Sequence, residues 1–123
     1  MQAIYLVKNG KTKDAFEFRD IQMTEPKDNE VGVIVEASGI NFADVVARLG
    51  QYQDCPPLPA VIGYEAVGRV EKVGKDVTTL KKGDRVLAFT RFGGYSQYVT
   101  QQESAVAKIA EDMDVGKALA LAT

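Results

Sequence analysis

Histidine is absent from these 123 residues, and cysteine occurs once, at Cys55. The first absence removes the commonest neutral metal ligand and the side chain most often used for proton transfer near neutral pH. The second excludes an internal disulfide and every zinc site built on clustered thiolates. Only scattered carboxylates remain as ligands, so the chain is expected to hold no metal. Cys55 stands before Pro56-Pro57 and reads as a small residue beside a proline turn rather than as a reactive thiol.

Other things missing narrow the class further. There is no block of Lys and Arg, and the net charge is −2, so the clustered cations that neutralise nucleic-acid phosphates are lacking. No apolar run approaches the ~20 residues that cross a bilayer, and no charged N-terminal stretch precedes an apolar one. A soluble, cytoplasmic protein is therefore expected. Repeats, low-complexity tracts and linkers are absent too. With 46% apolar and 26% charged residues, the composition suits one globular domain with its own core.

The periodicities present are mostly those of strands. Gln2 to Lys8 reads as a first strand stopped by Asn9-Gly10, a hairpin-type dipeptide. From Ala15 to Met23, Phe16 and Phe18 alternate with Glu17 and Arg19, the pattern of a half-buried strand. The β-branched run Val31 to Val35 is a third strand. Asp84 to Thr90, Tyr95 to Thr100 and Ala105 to Ile109 supply three more, separated by Gly-rich turns. One segment departs from period two. Phe42, Val45, Val46 and Leu49 follow i, i+3, i+4, i+7, so a short helix is predicted, capped by Asn41 and ended by Gly50. Asp44 and Arg48 are four apart on its polar side and are expected to form a local ion pair. A second helix starts near Asp114 and is still running at the last residue.

The rest is arranged around Val61 to Gly74, V-I-G-Y-E-A-V-G-R-V-E-K-V-G. Gly63, Gly68 and Gly74 interrupt a β-branched run, as in a strand that bends or lets another group approach closely. After Gly68 the alternation slips by one, because Val67 shares a face with Arg69 whereas Val73 shares one with Glu71. A bulge or barrel corner would absorb that slip. Short strands separated by turn signals suggest a small barrel or sandwich.

G-Y-E-A-V-G-R-V-E-K-V-G resembles the G-H-E-x-x-G-x-x-x-x-x-G signature of zinc alcohol dehydrogenases in the medium-chain dehydrogenase/reductase superfamily. G-I-N-F-A-D-V-V-A-R-L-G-Q-Y, P-P-L-P, L-K-K-G-D-R-V and G-G-Y-S-Q-Y-V are similar to its zinc-independent quinone oxidoreductase branch, in the same order. The resemblance implies a mainly β fold, a GroES-like partly open β-barrel with short helices, over residues 1–123. In that family a Rossmann cofactor domain follows, and residues from about 114 to 123 would begin the connecting helix. The dinucleotide fingerprint G-x-G-x-x-G does not occur in this chain, so cofactor phosphates are expected to bind outside it.

The same resemblance locates a site. Tyr64 stands where the zinc-binding His would be, and the catalytic Cys would fall near Asn41. Without zinc, a substrate must be polarised by hydrogen bonds or be electrophilic already, as quinones and enones are. Asn41, Tyr52 and Tyr64 are the candidate donors: Asn41 and Tyr52 as catalytic residues, Tyr52 and Tyr64 against substrate, and Asn41 also against the cofactor. Helix capping alone would also account for Asn41, and packing on prolines for Tyr52. Glu65, beside the metal in zinc enzymes, is expected here to be a buried, hydrogen-bonded carboxyl group. Val46 replaces a Tyr found in several quinone oxidoreductases, which implies a more apolar pocket.

The expectation is thus the substrate-binding domain of an NADPH-dependent, zinc-free reductase of quinones or α,β-unsaturated carbonyls, inactive as this segment alone. A homodimer of the full-length form is also expected. A non-catalytic GroES-like binding module and an enoyl reductase of the same superfamily are the alternatives.

Overall fold

The computed structural model describes residues 1–51, 53 and 55–120, apart from the side chains of Phe42 and Ala43. In chain order these residues form β1 (Gln2–Leu6), α1 (Thr12–Ala15), β2 (Phe16–Asp20), β3 (Glu30–Ser38), α2 (Phe42–Arg48), β4 (Ala60–Val61), β5 (Glu65–Val73), β6 (Arg85–Phe89), β7 (Tyr98–Gln102), β8 (Val106–Lys108) and α3 (Val115–Ala120). The strands make a three-stranded sheet, β2-β1-β4, and a five-stranded sheet, β7-β3-β5-β6-β8. All their pairings are antiparallel. An Ala3–Ser96 bridge and the bond from the Ile4 N–H to the Tyr95 carbonyl, 2.8 Å, join the two sheets. The result is the partly open, mainly β barrel that the sequence implied.

Three apolar clusters hold it. Val31, Val33, Val70, Leu80, Val86 and Val99 fill the inside of the larger sheet. Leu6, Ala15, Ala47 and Ile62 join the smaller sheet to α2. On the far side of β5, Val67 and Leu87 meet Ala118 of α3. Val67 and Val70 therefore serve opposite faces of one strand. Two bulges in the β3–β5 ladder adjust this alternation: Glu36 is the extra residue between Val35 and Ala37, and Glu71 the extra one between Val70 and Lys72. The slip expected after Gly68 is thus absorbed three residues later, at Glu71. At Gly68 itself the β3 backbone comes so close that any Cβ would overlap the Ile34 carbonyl oxygen.

Four expectations need correction. Asn9-Gly10 does not lead directly into a strand, because α1 intervenes and Ala15 ends that helix, buried. Phe18 is 68% exposed: it shares a face of β2 with Phe16, which packs on the Leu6 cluster, but itself lies on the wall of an open groove. In α2 the predicted face of Val45, Val46 and Leu49 is only half-buried or exposed, while Asp44 and Ala47 are buried. The helix turns its small and acidic side inward because Asp44 has hydrogen-bond partners there. For the same reason the Asp44–Arg48 pair does not form: Arg48 Nη1 donates instead to the Gly10 carbonyl at 2.8 Å.

Asp114 caps α3 as predicted, accepting from the Lys117 N–H at 3.1 Å. Arg85, 7% exposed, holds the approach to that helix by donating to the carbonyls of Glu111, at 3.1 Å, and Met113.

Adding a methyl group at Gly68 must push the β3 and β5 backbones apart. Gly68→Ala is expected to destabilise the chain by about 2 kcal/mol or more, at the upper part of the range for overpacking. Urea denaturation measures it, and a loss under ~0.5 kcal/mol would contradict the close approach.

Candidate functional site

Asn41 stands between the end of β3 and the start of α2, in extended conformation, as an N-cap requires. Its backbone N–H donates to Asp44 Oδ2 at 3.0 Å and its side chain faces the Asp44 N–H, the two halves of a capping box. The amide end of the same side chain reaches β5. Asn41 Nδ2 donates to both carboxyl oxygens of Glu65, at 2.9 and 3.1 Å. Asn41 is therefore held from two sides by two buried acids, Asp44 at 6% and Glu65 at 3% exposure.

Each acid has a further reason to stay where it is. Asp44 Oδ2 also accepts from the Tyr95 hydroxyl at 2.9 Å. Burial, and next the neighbouring Asp44, push the Tyr95 phenol well above its ordinary value, so it remains a hydrogen-bond donor. Glu65 packs against the bare Cα of Gly39, where a Cβ would overlap its Oε1. Glu65 is thus the buried, hydrogen-bonded carboxyl group that the sequence led one to expect.

The segment before Glu65 is clamped by the loop that follows β6. Thr90 and Arg91 N–H groups both donate to the Tyr64 carbonyl, at 2.7 and 3.0 Å. Thr90 Oγ1 donates to the Gly63 carbonyl at 2.6 Å, and the Tyr95 N–H to that of Ile62 at 2.9 Å. Gly63 adopts φ +115°, and a Cβ there would come within 2.8 Å of the Tyr95 ring. The Tyr64 ring lies against Phe92, with centroids 6.3 Å apart.

Of the predicted site residues, Asn41 and Tyr64 therefore flank Glu65, one through its side chain and the other through the backbone. Tyr52 lies outside the described residues. The sequence reading overlooked Tyr95 and the second role of Asp44. The spacing Asn41-x-x-Asp44 was the available signal, since a carboxylate three residues after an N-cap commonly turns back to the cap.

Among the described residues no group of three His, Cys, Asp or Glu side chains could hold a metal ion, and no helix is long and apolar enough to cross a membrane. Burial raises the Cys55 thiol above its ordinary value, which makes it less reactive. A groove of about 850 Å³ opens on the other side of Asp44 and Tyr95, walled by Phe16, Phe18, Ser38, Ile40 and Val45. Asn41, Tyr64 and Glu65 do not line it, so the groove and the Asn41–Glu65 pair are separate features with a shared wall.

Residues 27–111 match the family model of the alcohol dehydrogenase GroES-like domain. The chain belongs to that family, and within it to the quinone oxidoreductase-like branch of the medium-chain dehydrogenase/reductase superfamily. It is 35% identical over 122 residues to the quinone oxidoreductase of Sus scrofa, covering 98% of this chain and 37% of that protein. It is 36% identical over 120 residues to the human synaptic vesicle membrane protein VAT-1 homolog-like, covering 98% of this chain and 28% of that protein. Escherichia coli quinone oxidoreductase, solved in complex with NADPH, superimposes with a TM-score of 0.88 at 33% identity, over 98% of this chain and 36% of its own. The chain thus spans well under half the length of each of these relatives.

Tyr95→Phe removes the Asp44 hydrogen bond and keeps the ring. It is expected to cost about 1–2 kcal/mol and to change the alkaline limb of stability. Because the folded-state pKa is raised, the Tyr95 contribution is fully present below pH ~10 and is lost as pH rises through the folded value. Chemical denaturation between pH 8 and 11 checks this. The wild-type chain should lose stability toward pH 11 more steeply than Tyr95→Phe, and parallel curves would contradict the assignment.

Proposed function

We propose that this chain forms the substrate-side domain of an NADPH-dependent, zinc-independent oxidoreductase that delivers hydride to a quinone or another α,β-unsaturated carbonyl. The observation that carries the reading is the replacement at the metal position. Where zinc relatives carry Cys and His, this chain has Asn41 and Tyr64; the Asn41 carboxamide donates to Glu65 and its backbone N–H to Asp44. Nothing in that set is a soft or borderline-soft ligand. Polar groups held in place of a metal suit an acceptor that is already electrophilic.

The residues present fit only one end of such a cofactor. Among the described residues no glycine-rich turn runs from strand to helix for phosphates, whereas Asn41 is the residue assigned to the nicotinamide end. Bound reduced nicotinamide supplies a hydride. Reduction of the conjugated carbonyl would place charge on its oxygen, which would need hydrogen-bond donors from the chain and finally a proton from water. Tyr52 and Tyr64 phenols are the donors assigned to that oxygen. Tyr52 is proposed to orient substrate, and Asn41 to orient substrate and nicotinamide.

The test is a steady-state assay of the full-length protein with NADPH and 1,4-benzoquinone, an enone and an enoyl thioester, with and without a zinc chelator. Quinone or enone reduction that survives chelation is expected. Asn41→Ala and Tyr52→Phe should each lower kcat/KM by roughly tenfold or more, about 1.4 kcal/mol. Activity that chelation abolishes would contradict the zinc-independent reading. Turnover of the thioester alone would move the protein to the enoyl reductases, and binding of acceptors without turnover would favour a non-catalytic module.

A further inference from the structure

We propose that residues 110–120 form a strap that docks on the barrel and releases from it as one unit, with Arg85 as its latch. After β8 the Ile109 N–H still reaches the sheet, donating to the Arg85 carbonyl at 2.9 Å. Beyond it the backbone bonds turn inward. The Met113 N–H donates to the Ala110 carbonyl at 3.1 Å and the Ala118 N–H to that of Asp114 at 3.0 Å, so these bonds fasten the segment to itself. The apolar hold is slight as well: within 110–120 only Ala118 is buried, against Val67 and Leu87, while Met113, Val115 and Leu119 around it are half-buried. A segment with so little buried apolar surface lies at the low end of local stability.

Arg85 supplies what packing does not. Its Nη1 faces the carbonyls of Ala110, at 3.4 Å, Glu111, at 3.1 Å, and Met113. Three carbonyls within four residues converge on one guanidinium only in the docked path of the chain, so these contacts form and break as a set. The charge has counterparts too. Glu36, the bulge residue of β3, lies 3.6 Å from Arg85 Nη2 and 3.7 Å from Arg69 Nε, and Arg69 pairs with Glu111 of the strap.

The strap covers the face that carries the candidate site. Glu65, Val67 and Arg69 alternate on one side of β5, and Leu87 and Arg85 stand opposite Val67 and Arg69 on β6. Glu65 accepts from Asn41, Val67 packs on Ala118 and Arg69 pairs with Glu111. Docking therefore fixes where α3 leaves the barrel relative to Glu65. For its kinetic consequence this rests on the functional reading above, in which α3 leads toward the cofactor domain and a released strap would hold NADPH less well against this face.

Amide hydrogen exchange of the chain tests the unit. The Met113 and Ala118 amides should share one protection factor, to within about threefold, and it should lie about tenfold or more below that of Val70, whose N–H donates to the Asp84 carbonyl inside the barrel. Asp114→Ala removes the cap of α3 without touching the barrel and should lower protection at Met113 and Ala118 together, by about fivefold. Arg85→Lys keeps the charge but loses the fork that reaches the carbonyls, and should lower both by about tenfold or more. Protection equal to that of Val70 would overturn the strap, because the segment would then open only with the barrel. Loss at Ala118 with Met113 unchanged would overturn the single unit, and unchanged protection or an unfolded barrel in Arg85→Lys would overturn the latch. In the full-length protein Arg85→Lys should raise KM for NADPH about fivefold or more, with kcat for 1,4-benzoquinone held within about twofold. An unchanged KM beside a released strap would overturn the link to the cofactor. A wild-type protein that reduces no acceptor would overturn the functional reading, and the exchange results would still decide the strap.

Discussion

A carboxyl group removed from water must find hydrogen bonds inside the protein, and that requirement at Glu65 organises this end of the barrel. Glu65 opens β5, at the point where the strand leaves the clamped Gly63-Tyr64 segment, and only 3% of it is exposed. Its oxygens are satisfied by Asn41 Nδ2. That bond in turn requires α2 to begin at Asn41, Asp44 to hold the backbone there, and Gly39 to lack a Cβ. A buried acid left without its donor would cost on the order of 1–3 kcal/mol or more. The contact therefore links strand, helix start and loop in one cooperative unit, whose members are 24 residues apart in sequence.

The barrel supplies the frame for that unit. Bulges at Glu36 and Glu71 let β3 and β5 turn without losing their pairing, and Gly68 lets the two backbones approach at the bend. The loop between β6 and β7 closes over the other side, with four donors from Thr90, Arg91 and Tyr95 on the carbonyls of residues 62–64. Ser38 Oγ donates to the Gly94 carbonyl and ties the end of β3 to the same loop. A site placed on the ends of strands and fastened by backbone hydrogen bonds is pre-organised.

Much of this was legible in the sequence, for local reasons. The cap at Asn41, the stop at Gly50, the cap at Asp114 and the strands on either side follow from residue chemistry that acts within a turn or two. What was not legible depends on which neighbour a face meets. Periodicity placed Val45, Val46 and Leu49 on one side of α2, but it could not say that Tyr95, 51 residues from Asp44, would draw the acidic side inward. In β2, Phe16 and Phe18 alternate as in a half-buried strand, yet only Phe16 meets the core, while Phe18 lies exposed on the wall of the groove. Nor could local pattern say that Glu65, 24 residues away, would accept from Asn41 Nδ2.

The central claim is that Asn41 is fixed by Glu65 through its Nδ2 protons, and the side-chain amide signals of Asn41 report on this most directly. In ¹⁵N–¹H spectra of the chain, the Asn41 carboxamide should exchange with water about tenfold or more slowly than those of Asn9 and Asn29, with one proton moved downfield, and Glu65→Gln should weaken both effects. Exchange as fast as at Asn9 and Asn29, unchanged by Glu65→Gln, would contradict the account.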